Sequence, residues 1–138
     1  MEQTPHPLIF PMAAHVALAA ALYVVLTIAR APAVWGIGRK SDGSNPLAWI
    51  EPRVSANLSN QFEWPLLFYV ACLLIIPLGP INLATLLAWV FVVGRVLHSL
   101  IQILTANVRL RGLAFTINFL AVLGLWLIVV FQNIFRNW

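Results

Sequence analysis

Four apolar stretches, each long enough to cross a bilayer or extendable to that length, govern what this chain can fold into. About 20 consecutive apolar residues in a helix span the hydrocarbon core. Lipid leaves no water to satisfy a bare backbone, so spanning segments must be helical unless they close into a barrel. The runs predict helices at about 8–29, 56–78, 81–106 and 112–134. The second is apolar only from Trp64 to Leu78 and borrows polar turns from about Ser55 onward. Leu78-Gly79-Pro80 reads as a tight turn, and NVRLR (107–111) as a short connection. Residues 30–54 form the one sizeable loop. The expected fold is all-α and integral to the membrane: a single domain over 1–138, built as a four-transmembrane-helix antiparallel bundle. No internal repeat or low-complexity segment interrupts it.

Composition agrees. The 138 residues are 62% hydrophobic and 9% charged, against about 45–50% and about 25% in a soluble domain. The net charge of +4 does not point to nucleic acid, because the basic residues are scattered and no Lys/Arg stretch alternates with aromatics. They instead fit basic membrane loops. Arg30, Arg39, Lys40 and Arg53 fall in the first loop, and Arg109 and Arg111 in the third connection. By the positive-inside rule that face is cytoplasmic and both termini, with Arg136, lie opposite. MEQTPHPL lacks the basic start of a cleavable signal, so the first run is expected to remain as a span. Trp35, Trp49, Trp64 and Trp138 flank the predicted spans as an interfacial belt. The single cysteine, Cys72, sits among Val70, Leu73 and Leu74. It excludes a disulfide framework and reads as a small hydrophobe.

The informative residues are those that break hydropathy. On a continuous helix, Asn57, Asn60 and Glu63 fall within an arc of about 120°, which includes Arg53. On the third span Arg95, His98, Gln102 and Thr105 fall within about 80°. The two helices run in opposite directions, so both faces reach the same cytoplasmic half and are expected to meet. Ionisable groups inside a span cost about 2.5–3.5 kcal/mol each on the insertion scale and face a bundle interior or a cavity. Glu63 and Arg95 form the natural pair. Arg53, Arg95, Arg109 and Arg111 outnumber Glu63, however, and a bound carboxylate or phosphate would balance them. His98 has no second ligand at metal spacing, so no metal is expected. His15 reads as a hydrogen-bonded packing residue and Asn118 as interhelical glue. Pro65 is expected to kink the second helix.

Arg53 through Asn60, Glu63 and Pro65, then GRVLHS (94–99), then LRGLAF (110–115) together resemble the MAPEG family, membrane-associated proteins in eicosanoid and glutathione metabolism. GRVLHS is most similar to the microsomal prostaglandin E synthase branch and its bacterial relatives. The resemblance implies a homotrimer with glutathione between subunits, and a lipophilic small-molecule substrate arriving from membrane lipids. It gives Asn60 and Glu63 as ligands of the glutathione backbone and amino group. Arg95 and His98 become helix-three contacts; Gln102, Arg53 and Arg109 are added to the expected cofactor site from the polar faces and basic residues, not from the resemblance. Arg111 becomes the catalytic arginine that stabilises the thiolate, since a nearby guanidinium favours the ionised thiol.

This chain also departs from the family. Ala56 stands where many relatives have arginine, Gln102 where tyrosine is usual, Trp64 where some have tyrosine, and Gly112 where the prostaglandin branch has serine. Two readings follow: a glutathione-dependent transferase or peroxidase acting on lipophilic electrophiles, or a non-catalytic lipid-binding or scaffold member. Either would be multi-pass in a bacterial inner membrane or the endoplasmic reticulum, its site facing the cytoplasm.

Overall fold

The structure, a computed structural model, describes residues 5–135; Arg136 and Trp138 lie outside the described residues. Every regular element is helical: α1 (Ile9–Trp35), α2 (Glu51–Ser59), α3 (Pro65–Ile75, continued by a 3₁₀ turn to Leu78), α4 (Asn82–Leu104) and α5 (Val108–Phe135). Three of them, α1, α4 and α5, are long and apolar enough to cross a membrane.

The second expected span does not form one continuous helix. α2 ends at Ser59 with Asn60 as its cap, residues 60–64 are non-helical, and α3 starts anew at Pro65. Proline at the first position of a helix surrenders only an N–H that would have no helical partner anyway. Pro65 therefore initiates a helix where a kink was expected. Glu63 lies in the break, and the common helical arc expected for Asn57, Asn60 and Glu63 does not exist. The turn before α4 is made by Gly79, whose φ of 91° favours glycine. Arg109 and Arg111 lie in the first turn of α5, not in a connection. Asn107 precedes them and caps that helix, its Oδ1 accepting from the Leu110 N–H at 3.0 Å.

Contacts give the helix directions. Leu87 faces Gly124 and Gly94 faces Asn118, while His98 faces Phe115; α4 and α5 are therefore antiparallel. Arg53 reaches Ile103, Asn57 reaches Gln102 and Gln61 reaches Ser99, so the α2–break–α3 run also lies antiparallel to α4. α1 pairs Arg30 with Glu51 at 2.7 Å and His15 with Gln61 and Tyr69, again antiparallel. The main apolar core joins α3, α4 and α5, with Phe68 stacked on Phe91 at 4.2 Å. Cys72 is buried there as a free thiol. A smaller cluster of Leu22, Leu26, Val54 and Leu58 closes α1 on α2. Arg30, Arg53 and Arg111 gather at the end where α2 enters the bundle.

Candidate functional site

Arg95 is the largest fully buried side chain, 1% exposed. It forms no ion pair with Glu63; among the described residues the ion pair is Arg30–Glu51. The Arg95 Nε–H donates to Gln61 Oε1 at 3.0 Å, and an Nη donates to the Asn60 carbonyl at 2.8 Å. The break between α2 and α3 makes the second bond possible, because Asn60 is a helix cap whose carbonyl is free to turn toward α4. The expected Glu63–Arg95 pair is thus replaced by an amide and a main-chain oxygen. Neutral acceptors satisfy a guanidinium without burying a second charge.

Arg95 has only donors, so it fixes the orientation of every amide beyond it. Gln61 must present oxygen to Arg95, and its Nε2 then donates to Asn57 Oδ1 (3.1 Å) and Ser99 Oγ (3.2 Å). Asn57 Nδ2 in turn donates to Gln102 Oε1 at 3.0 Å, which Asn60 Nδ2 also reaches at 3.3 Å. His98 Nε2, 3.0 Å from the same oxygen, therefore carries a hydrogen toward it. In the other direction Gln61 Oε1 accepts from His15 Nε2 at 3.1 Å, and His15 Nδ1 pairs with the Tyr69 hydroxyl at 2.8 Å. The hydrogen-bonded role expected for His15 is present. Gln61, the centre of the network, was missed: on a continuous helix it falls about 40° beyond Asn57, just outside the polar arc.

Two cavities border this network. The first, about 80 Å³, is lined by Asn60, Glu63, Trp64, Arg95, His98 and Phe115. His98 Nδ1 and Trp64 Nε1 are buried without hydrogen-bond partners. Trp64 stacks on Phe119 at 4.8 Å, so it is a cavity wall, whereas Trp35 and Trp49 are exposed. The second cavity, about 340 Å³ and more open, is lined by Arg53, Ala56, Gln102, Thr105 and Arg111. Arg53 is steadied there by the Ile103 carbonyl at 3.3 Å and by the Trp49 ring at 5.9 Å. No carboxylate lines this cavity. Gln102 belongs to its wall and also bonds His98 and Asn60 of the first cavity.

Of the residues singled out from sequence, Asn60, Glu63, Arg95 and His98 share the smaller cavity, and Arg53, Gln102 and Arg111 the larger. Arg109 is exposed and lines neither. Asn118 does not act as hydrogen-bonding glue: it is fully buried, neither amide atom has a partner, and it packs against Gly94. Among the described residues no group of three or more His, Cys, Asp or Glu side chains could hold a metal ion.

An all-helical membrane protein with a cation-rich polar cleft at one end of its bundle is the class these features define. The MAPEG family profile matches residues 8–131, and the chain belongs to that family. Its members are generally tied to glutathione-dependent transferase or peroxidase chemistry or to eicosanoid metabolism. Comparisons with curated proteins and with solved structures returned no match.

Proposed function

We propose that this protein is a membrane-bound glutathione-dependent transferase or peroxidase acting on lipophilic electrophiles, of the prostaglandin E synthase-like or bacterial branch. The carrying observation is the Arg53–Arg111 cavity, which holds two guanidiniums and no carboxylate beside a second cavity containing Arg95 and Glu63. Glutathione brings two carboxylates, one ammonium and a thiol. Its carboxylates suit the arginines, forked donors matched to such groups, and its ammonium suits Glu63. The unpartnered Trp64 Nε1 and His98 Nδ1 can serve its peptide groups. Arg109 is exposed and lines neither cavity.

Arg111 is the residue assigned to the thiol. A guanidinium beside sulfur favours the thiolate, the nucleophilic form. In the transferase reaction the thiolate attacks an electrophilic carbon; a C–S bond forms and the leaving group departs with the bonding electrons. The thiol proton goes to water. In the peroxidase reaction two glutathiones become the disulfide while a hydroperoxide becomes an alcohol and water. A homotrimer would wall the open side of the larger cavity. The gathering of Arg30, Arg53 and Arg111 at one end of the bundle supports a cytoplasmic site.

The test measures thermal stabilisation by glutathione together with conjugation of a lipophilic electrophile, for wild type and Arg111→Ala. Stabilisation in both proteins with conjugation lost in the variant is expected. Equal conjugation rates would remove Arg111 from its role. A second reading, a lipid-binding member without catalysis, draws on two observations. Ala56 lines the cavity at the position where the family resemblance leads to an arginine, and the Gln102 oxygen is already occupied by Asn57, Asn60 and His98. Absence of stabilisation at millimolar glutathione, with a lipid retained through purification, would favour it.

A further inference from the structure

Gln61 also borders a cleft apart from the two cavities assigned to glutathione. About 280 Å³ in volume and half-open, it lies between α1 and the α2–α3 run, with Ala20, Tyr23 and Phe62 in its walls and His15, Gln61 and Tyr69 at its polar end. Tyr23 and Phe62 are 53% and 59% exposed and their rings meet at 6.3 Å. α1 is long and apolar enough to span a membrane, so this mouth faces lipid rather than water.

The hydrogen-bond inventory of the polar end selects the ligand. Both lone-pair sites of the Gln61 oxygen are taken, by Arg95 and His15, and its nitrogen donates to Asn57 and Ser99. With the hydrogen of a neutral His15 on Nε2, its Nδ1 accepts, and the Tyr69 hydroxyl donates to it at 2.8 Å. What remains toward the cleft is acceptor capacity on the Tyr69 oxygen, with no free donor. At this end a carbonyl or ether would find no donor, whereas a hydroxyl hydrogen would find an acceptor; the Tyr23 hydroxyl lies about two turns further along α1, toward the other end of the cleft. The volume lies just below the usual range of small-molecule pockets, suiting a ring or a short branched chain.

We infer that this cleft is a lipid-accessible binding site for a lipophilic hydroxyl compound, an alcohol or phenol, whose O–H donates to the Tyr69 oxygen. The ligand enters sideways from the bilayer. Gln61 stands between this site and Arg95, so the two ligand regions share one positioning side chain.

The experiment uses the full chain in lipid nanodiscs and three labelled probes of nearly equal size: nonylphenol, its methyl ether and nonylbenzene. One hydrogen bond makes nonylphenol bind about three- to tenfold more tightly than the other two. Tyr69→Phe removes that preference and leaves nonylbenzene binding unchanged, and Ala20→Phe, placed in an exposed wall, blocks all three. Equal affinities for the three probes in the wild type would overturn the assignment, and this comparison stands even if Tyr69→Phe does not fold. Unaltered nonylphenol binding in a folded Ala20→Phe would overturn it too. So would an Ala20→Phe protein whose main change is its oligomeric size, since the cleft would then be a contact between copies of the chain.

Discussion

Replacing Gln61 with leucine removes the centre of the buried network while roughly keeping side-chain volume. Four hydrogen bonds are lost, to His15, Arg95, Asn57 and Ser99. Interhelical hydrogen bonds in membrane proteins average about 0.6 kcal/mol, which gives roughly 2.4 kcal/mol for four. Leaving a buried guanidinium N–H without an acceptor adds about 1 kcal/mol or more, although the Asn60 carbonyl still holds the other end of Arg95. Gln61→Leu is therefore expected to destabilise the fold by about 2–4 kcal/mol. Glu63→Gln is the control. Glu63 is exposed and forms no ion pair with Arg95, so the change is expected to cost less than about 1 kcal/mol. Unfolding by dodecyl sulfate in mixed micelles, followed by tryptophan fluorescence, measures both. Gln61→Leu within about 0.5 kcal/mol of wild type, a limit set by that per-bond scale, or Glu63→Gln as the more damaging change, would rule out Gln61 as the centre of the network.

Other perturbations test the surrounding structure. A Cβ at Gly94 would collide with Asn118 Oδ1, so Gly94→Ala is expected to cost about 1–3 kcal/mol, and adding Asn118→Ala is expected to recover most of that in the same unfolding assay. The Arg30–Glu51 pair is partly exposed, at 49% and 29%, so Glu51→Gln is expected to shift stability by less than about 1 kcal/mol, and less still at high salt. Asn107→Ala removes the cap of α5 and is expected to cost about 0.5–2 kcal/mol, visible as faster amide exchange in the turn carrying Arg109 and Arg111. Arg109→Ala is expected to leave glutathione stabilisation unchanged, while Arg53→Ala lowers it, both read by thermal shift.

Three long helices were legible because length and hydropathy together leave an apolar segment of about 20 residues few alternatives. The polar face of α4 was legible for a related reason: inside an unbroken helix the 100° step is reliable, and Arg95, His98 and Gln102 all border the cavities as that spacing implies. The same step misled across residues 57–63, where the helix stops. Proline at 65 is compatible with either a kink or a fresh start, and the difference lies in tertiary packing, where the Asn60 carbonyl turns to Arg95. A pairing rule based on opposite charge selected Glu63 for Arg95 and overlooked Gln61 two residues earlier. Asn118 shows the reverse error, since polarity alone suggested a bond that the packing against Gly94 does not supply. Arg53 and Arg111 share a cavity because α2 and α5 meet the end of α4, a consequence of topology and not of any local motif.

Under the proposed function the cavity between Arg53 and Arg111 holds glutathione as a thiolate beside Arg111. Ultraviolet difference absorbance of bound glutathione, titrated across pH in the purified protein and in Arg111→Ala, tests it most directly. A thiolate band at neutral pH is expected in the wild type, and in the variant a band that appears only toward the pH at which a free thiol ionises, near 8.5. Glutathione that binds without a thiolate band in the wild type, or with the same band in both proteins, would contradict the proposal.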